Sequence, residues 1–456
     1  MEAASPSRNV RLDAQPLHPQ CLARLVEIET PELHEEEDAD LYVEPGYHDV
    51  LYVKGCGRRK LVSSIRDNTL VPAETTSNRI DVDRLAADSQ ELREVLEPIR
   101  SPSAFIGLFN EDFWGIPPRR PLSRGMACHH GQLSEHDVLE PLDARAPGPA
   151  CLFPVWLTLF LVRKKNGLGR LVVDARCVNR HQAKPGPMGL PRLHDLIRSV
   201  LRCSHACTSD GRSYFYQFML HADIRPFFKA RLAGYRGRIL DVAMKRMPMG
   251  WSYAPRIAQH VSNFLVRGGV GVAWLDDFII GGATEEEFEQ NRQVFLDRIR
   301  RYNVELDDVE LTPMTSLRAV GLEFDLVRKR YRLQPDWVAK KDLGNQDLQS
   351  ARTYREWFVL IGALIWADHA TRRPLWRRAE ALAAISAMAK EARQNFDALA
   401  DLPDYCRKNV EQWISEVAAN EWAPPPPTKP SDPNAWLFSD ASGAASAWIR
   451  IQHDGG

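Results

Sequence analysis

The chain contains no run of about 18 uncharged apolar residues, the longest candidate being the Val359 to Ala367 segment, so no membrane-spanning helix is expected. The opening Met1-Glu2-Ala3-Ala4-Ser5-Pro6 lacks a basic region followed by an apolar one, so no secretory signal is expected and the protein is read as intracellular, cytoplasmic or nuclear. Cysteine is scarce and unpatterned: eight residues without framework spacing suit a reducing compartment. Cys203-Ser204-His205-Ala206-Cys207 and Cys128-His129-His130 lack a second half at zinc-finger distance and are read as structural. Net charge is nearly absent, at −1, which neither favours nor excludes nucleic acid. What remains is ordinary globular composition, 44% hydrophobic and 26% charged, in 456 residues, too many for one core and enough for two or three domains.

Local charge is less even. Between Arg225 and Arg256 eight basic residues face one acid, Asp241, whereas from Asp276 to Glu310 eleven acids face four arginines. A basic wall beside an acidic pocket suits a polyanion held next to metal ions, although two solvated faces give the same counts.

In order, residues 1–147 mix proline, acidic runs such as Glu35-Glu36-Glu37-Asp38-Ala39-Asp40, a β-rich Tyr42 to Lys54 and a helix-spaced Ile80 to Leu96, with no legible role. Gly115 to Gly125 is a basic loop. Val155 to Val162 and Arg170 to Asp174 predict a hairpin with Lys164, Lys165 and Arg170 at its tip, a positive clamp or a solvated turn. Asp210 precedes Gly211 and an aromatic-rich run; strand-like Pro226 to Leu232 and Arg238 to Ala243 follow. Met247 to Pro255 is a Pro/Gly loop before a helix over Arg256 to Val266. Thr284-Glu285-Glu286-Glu287 reads as a capping box opening a packing helix that ends near Arg301. Ala319 to Leu326 and Arg330 to Leu333 predict another hairpin, and a mainly helical lobe runs to about Ala419. Pro424 to Pro427 lies in a stiff linker, and Ala435 to Gly443 opens a strand.

In Gly271-Val272-Ala273-Trp274-Leu275-Asp276-Asp277-Phe278-Ile279-Ile280-Gly281 two apolar runs bounded by glycine flank adjacent carboxylates, which predicts a hairpin with both at its tip. Alone, the pair is turn chemistry. Asp210 lies 66 positions earlier (276 − 210), which lets the acids meet on adjacent strands of one sheet. Two-metal nucleotidyl transfer needs such converging carboxylates, and Mg²⁺ takes only a few of them.

Five blocks in order resemble the reverse transcriptases of retroelements over about residues 150 to 335: Arg170 to Asn179 with its Asp-x-Arg-x-x-Asn pattern, Ser209 to Leu232, Met247 to Pro255, Trp274-Leu275-Asp276-Asp277, and Val320-Gly321-Leu322-Glu323-Phe324, which resembles the primer-grip hairpin. Thr353 to Gly362 looks like the helix after the thumb, and Ser439-Asp440-Ala441-Ser442 like the first strand of ribonuclease H. The closest subgroup in wording is the DIRS-like or VIPER-like elements. The resemblance implies an α+β right-hand polymerase with fingers, an antiparallel palm sheet and thumb. Residues 1–147 are then an N-terminal region, 148–335 fingers and palm, 336–422 helical thumb and connection, 423–430 a linker, and 431–456 a truncated ribonuclease H-like start in which ribonuclease H activity is not expected.

The implied function is RNA-directed DNA synthesis for a transposable element, on an RNA template with a DNA or RNA primer and dNTPs. Asp210, Asp276 and Asp277 would be catalytic and bind two Mg²⁺ ions, or Mn²⁺, with the Gly211 carbonyl a further ligand. Lys165 and Arg170, with Lys164 as alternative, would hold the triphosphate; Phe215 would be the steric gate under the sugar, and Met249 and Gly250 would line the nucleotide. The chain departs from the family pattern in three places. Met249 replaces the usual Gln, Trp274 the usual Tyr or Phe, and no Lys or Arg lies between Asn303 and Ser316. Two alternatives are a catalytically degenerate copy that only binds nucleic acid, and a viral RNA-dependent RNA polymerase, against which Phe215 speaks.

Overall fold

The computed structural model describes residues 41–42, 52–53, 73–110, 122–124, 133–134, 137–142, 156–163, 169–233, 239–341, 343, 348, 350, 352–392, 395–427, 435–441 and 446–452. Lys164, Lys165, Cys128-His129-His130, the Glu35 to Asp40 run and most of the Gly115 to Gly125 loop lie outside them. The chain forms two compact units: Met1–Pro187 with Arg212–Ile257 and Tyr302–Val304, and Met188–Gly211 with Ala258–Arg301 and Glu305–Gly456.

In the first unit, the helix-spaced stretch read over Ile80 to Leu96 becomes two helices, Val82–Asp88 and Gln90–Arg100. Ser89 divides them because its extended backbone ends one helix while its hydroxyl accepts the Leu92 N–H (3.3 Å) and caps the next. The hairpin expected around Arg170 is present as Thr158–Arg163 paired antiparallel with Gly169–Asp174, and Ala73–Glu74 adds in parallel. A second sheet runs in the order Leu122–Arg124, Lys229–Ala233, Ile239–Met244, Leu139–Pro141. The strand expected from Pro226 begins only at Lys229, since Arg225–Phe228 is a 3₁₀ turn with the proline, which has no N–H to give a ladder, at its start.

The basic wall is largely internal structure. Arg225 pairs with Glu140 (2.9 Å), Arg231 with Asp241 (2.7 Å), and Lys245 and Arg246 with Asp137. Arg246 is fully buried and donates to the Asp137, Asn78 and Ser77 carbonyls (3.0, 2.6 and 3.1 Å), and burial lowers its pKa to about 10. Counting charges along the sequence overstated what this segment offers a polyanion.

In the second unit, an antiparallel sheet runs in the order Gly271–Trp274, Asp277–Gly282, His205–Asp210. The helix Glu285–Arg301 covers it through Phe288, Phe295, Leu296 and Ile299, with Phe278 and Phe295 rings 5.2 Å apart. Its acids fill the first turn and its arginines the last, matching the helix dipole, so much of the acidic count is a helix end. The Thr284 hydroxyl accepts the Glu287 N–H (3.2 Å), and Glu287 reaches back to the Ala283 N–H (2.7 Å).

Ser316–Ala319, Leu322–Asp325 and Arg330–Leu333 form a three-stranded meander. Helices Tyr354–Thr371, Ala379–Glu391 and Asp404–Ala418 make the expected helical lobe, and its buried side chains, among them Trp357, Leu364 and Trp413, join Phe324, Tyr331 and Leu333 in one core. The segment after the last helix is strapped to the meander. The Asn420 side chain bonds both the N–H and the carbonyl of Leu333 (3.1 and 2.9 Å), Trp422 lies under the guanidinium groups of Arg330 and Arg332 (4.4 Å each), and Ala423 exchanges backbone hydrogen bonds with Tyr331 (3.0 and 2.7 Å). Arg198 then holds the Pro427 carbonyl (2.8 Å). Ala435–Ala441 and Ser446–Gln452 pair as a separate hairpin.

Candidate active site

The Asp276-Asp277 hairpin forms, but only Asp276 lies in its turn; Asp277, expected at the tip beside it, is the first residue of the following strand. Trp274 pairs with Asp277, which leaves Leu275 and Asp276 as a two-residue turn. The further fact lies in the neighbouring strand: Asp277 stands directly opposite Asp210 in the antiparallel register. The ladder does not stop there. The Gly211 N–H donates to the Asp276 carbonyl (2.8 Å) and the Asp307 N–H to the Asp210 carbonyl (2.8 Å), so both backbones carrying the acids are tied at the end of the sheet.

Three like charges at one sheet end carry an electrostatic cost. Burial above all, then a hydrogen bond to the Asp210 carboxyl and the charges of Asp210 and Asp276, push the Asp277 carboxyl up to about 7. At neutral pH this pair holds a proton part of the time, and a cation placed there would remove the repulsion. Hard oxygen donors of this kind suit Mg²⁺ or Mn²⁺. Among the described residues no three His, Cys, Asp or Glu side chains converge as an ion-holding group, so what the fold supplies is a register-matched pair with a third carboxylate on the adjoining turn residue.

The sequence reading missed what holds the turn. Leu275 has φ 56, a left-handed conformation that costs a branched side chain about 1–2 kcal/mol. Two fully buried polar side chains of the preceding helix grip its two ends: Gln259 Oε1 accepts the Leu275 N–H (2.6 Å), and the Ser262 hydroxyl bonds the Leu275 carbonyl (2.6 Å). Gln259 Nε2 also donates to the Ala273 carbonyl (3.0 Å) and to Asn263 (2.8 Å). Polar residues three apart in a helix read as a solvated face; here that face is the back of the carboxylate turn.

The residues assigned to nucleotide binding belong to the first unit. Arg170 is exposed on the Gly169–Asp174 strand. Three residues along, the Val173 carbonyl lies against Gly250, where an added Cβ would sit 2.2 Å from that oxygen, and Gly250 has φ +129; only glycine fits this approach. Asn179 fastens the same loop, its amide donating to the Gly250 carbonyl (2.8 Å) and accepting the Ser252 N–H (2.9 Å). The Asp-x-Arg-x-x-Asn pattern thus gains a local reason, since Asp174 also holds Arg176 through two hydrogen bonds of 2.8 Å. Met249 is half-buried beside Gly250. Phe215 is buried, 6% exposed, on the 3₁₀ turn Tyr214–Gln217. Its neighbour Tyr216 donates to the Leu171 carbonyl (3.0 Å), and Gln217 joins the Arg212 carbonyl (2.7 Å) to Asn78 (3.0 Å).

No family model matches the chain. Over 180 residues, 38% of its length, it is 25% identical to the retrovirus-related Pol polyprotein from transposon 412 of Drosophila melanogaster, and it spans about 14% of that curated relative. Among solved structures it resembles the foamy viral protease-reverse transcriptase dRH in complex with ds DNA, with a TM-score of 0.55 at 13% identity over 88% of this chain and 73% of that one. The foamy viral protease-reverse transcriptase in complex with dsDNA gives 0.52 at 15% identity, covering 84% and 80%. The chain therefore has a reverse-transcriptase-like fold of mixed helix and sheet, and no described helix is long and apolar enough to cross a membrane.

Proposed function

We propose that the chain is an RNA-directed DNA polymerase of a transposable element, extending a DNA or RNA primer with dNTPs on an RNA template. The observation that carries this reading is the pairing of Asp210 opposite Asp277, with Asp276 in the turn between strands, within a chain of reverse-transcriptase-like fold. Asp210, Asp276 and Asp277, with the Gly211 carbonyl, would hold two Mg²⁺ ions, which supply charge neutralisation of the triphosphate and activation of the primer hydroxyl when bound. The protein's own part is orientation. The Gln259 and Ser262 bonds fix the turn, and the ladder from Asp210 to Asp277 fixes the separation of the two strands. Arg170, with Lys164 or Lys165, would bind the triphosphate by charge, Gly250 would let the loop backbone approach the nucleotide beside Met249, and Phe215 would close the sugar side to a 2′-hydroxyl. The assignment to DIRS-like or VIPER-like elements, the fingers, palm and thumb division, and a ribonuclease H-like beginning at residue 431 belong to the same proposal.

The test is primer extension with purified protein, a primed RNA template, dNTPs and Mg²⁺. Deoxynucleotide incorporation that Asp276→Asn with Asp277→Asn abolishes supports the reading, and wild-type protein no more active than that double variant overturns it. A second reading, a copy that binds nucleic acid without turnover, is favoured by one observation: no described group of three acids converges as an ion-holding set. Absence of Mn²⁺ binding in a titration of the wild-type protein would decide for it.

A further inference from the structure

The turn Arg372 to Arg378, between two helices of the helical lobe, displays an aromatic ring that the fold does not use. Trp376 is 74% exposed and Leu375 beside it 37%. The turn is nonetheless held firmly from beneath. Arg378, 2% exposed, donates to the fully buried Asp368 (3.1 Å), pairs with Glu416 and lies over the Trp413 ring (5.2 Å). The Arg373 N–H donates to the Asp368 carbonyl (2.8 Å), and Asn409 reaches the Arg377 carbonyl (3.5 Å). Arg372 takes up φ 61 as the helix cap. Rigid backbone below and an exposed indole above, with the Arg377 guanidinium over the ring (5.6 Å), is preorganised display, because little conformational freedom would be lost when something stacks on it.

The surroundings select the partner. Arg377 lies 5.6 Å from the Trp376 ring, Arg372 and Arg377 are exposed, and no described acidic side chain pairs with either. A protein-docking patch is a contiguous apolar area of hundreds of square ångströms. Here the apolar surface is one ring and part of a leucine, set among guanidinium groups. An aromatic platform with flanking arginines matches a nucleobase above and phosphates beside it, the chemistry by which single strands are held without sequence preference.

We propose that Trp376, with Arg372 and Arg377, is a stacking contact for a single-stranded nucleic acid, RNA or DNA. The inference rests on the proposed function only for its choice of partner, so it is tested by binding alone, on the 456-residue chain carrying Asp276→Asn and Asp277→Asn. Fluorescence anisotropy would follow RNA and DNA single strands of about 12 nucleotides, and a fully abasic strand of the same length. Trp376→Ala should weaken binding to the base-bearing strands about fivefold or more and leave the abasic strand unchanged, while Trp376→Phe retains most of the affinity. Arg377→Ala should weaken both strands and reduce the salt dependence by about one ion. Equal affinity of wild type and Trp376→Ala, an equal loss on the abasic strand, or no binding of single strands by the parent protein overturns the proposal. Primer-extension failure in the protein with its native aspartates would leave this result standing and count only against the polymerase reading.

Discussion

Two hairpin turns in the second unit are built on the same irregularity and secured by different means. In the carboxylate hairpin Leu275 sits at φ 56; in the meander the two-residue turn between Ala319 and Leu322 places Val320 at φ 44 and Gly321 at φ 79. Each forces a branched apolar residue into the left-handed region. The first is held by directional hydrogen bonds from Gln259 and Ser262, buried without water access. The second has a ring on one side and one backbone bond: the Trp366 ring lies 2.9 Å from where a Cβ on Gly321 would stand, Trp366 packs at a tilt against Trp337 (4.8 Å), and the Gly321 carbonyl accepts the Gln334 N–H (3.0 Å). Hydrogen bonds fix a turn to a fraction of an ångström, as carboxylates that must share a site require. At Val320-Gly321 a ring on one side and a backbone bond to the neighbouring strand end do this work without buried polar side chains from a helix.

The largest effect that would sharpen this contrast comes from Asp277→Asn. Under the proposed function, primer extension should fall by roughly a thousandfold, since one of the three carboxylates that would hold the metal ions loses its charge. The same change should make stability less dependent on pH. The folded Asp277 carboxyl, at about 7 against an ordinary 3.8, holds its proton more tightly than the unfolded chain does, so this group's contribution to stability is fully present at about pH 4 and is lost as pH rises through 7. Urea unfolding of metal-free protein at pH 5 and pH 8 should show a smaller difference in the variant, and an equal difference would break the electrostatic account.

Next in size, Gln259→Leu leaves the half-buried Leu275 N–H without its acceptor. Stability should drop by about 1–3 kcal/mol and kcat by roughly tenfold or more, with the apparent KM for dNTP little changed. A loss of stability with full kcat would mean that the polar grip is only structural. Gly321→Ala tests the other turn. Its positive φ and the Trp366 ring together predict a loss of about 2 kcal/mol by denaturant titration, with kcat retained. The smallest effect is Val320→Asn, which writes Asn-Gly, the preferred pair for such a turn, and should stabilise by about 0.5–1 kcal/mol.

The contrast also marks what the sequence could tell. Glycine-bounded apolar runs made the Asp276-Asp277 hairpin legible, and the alternation at Arg330 to Leu333 made the last strand of the meander legible. The turn at Val320 was not: the sequence predicts strand through Ala319 to Leu326, because a β-branched residue is the last one composition would place at positive φ. The opposition of Asp210 to Asp277 needed a pairing register that no local pattern encodes. Gln259 and Ser262 were invisible because helical spacing separates faces without saying which face is dry. The interleaving of segments in the two units, with Asp210 and Phe215 falling in different ones five positions apart, likewise depends on contacts far apart in the chain.

The strap through Asn420, Trp422, Ala423 and Pro427 changes what the proline-rich stretch does. As a free spacer from the end of the last helix it would set a distance by stiffness. Fastened as far as the Pro427 carbonyl, it fixes the point from which the chain runs on to the strand that opens at Ala435. Eight Cα–Cα steps (435 − 427) separate Pro427 from Ala435, and covalent geometry limits their reach to roughly 25–30 Å. The final hairpin, which belongs to the second unit, therefore starts within that reach of the strap on the meander, and the proline-rich stretch serves as an anchor point and not as a free spacer.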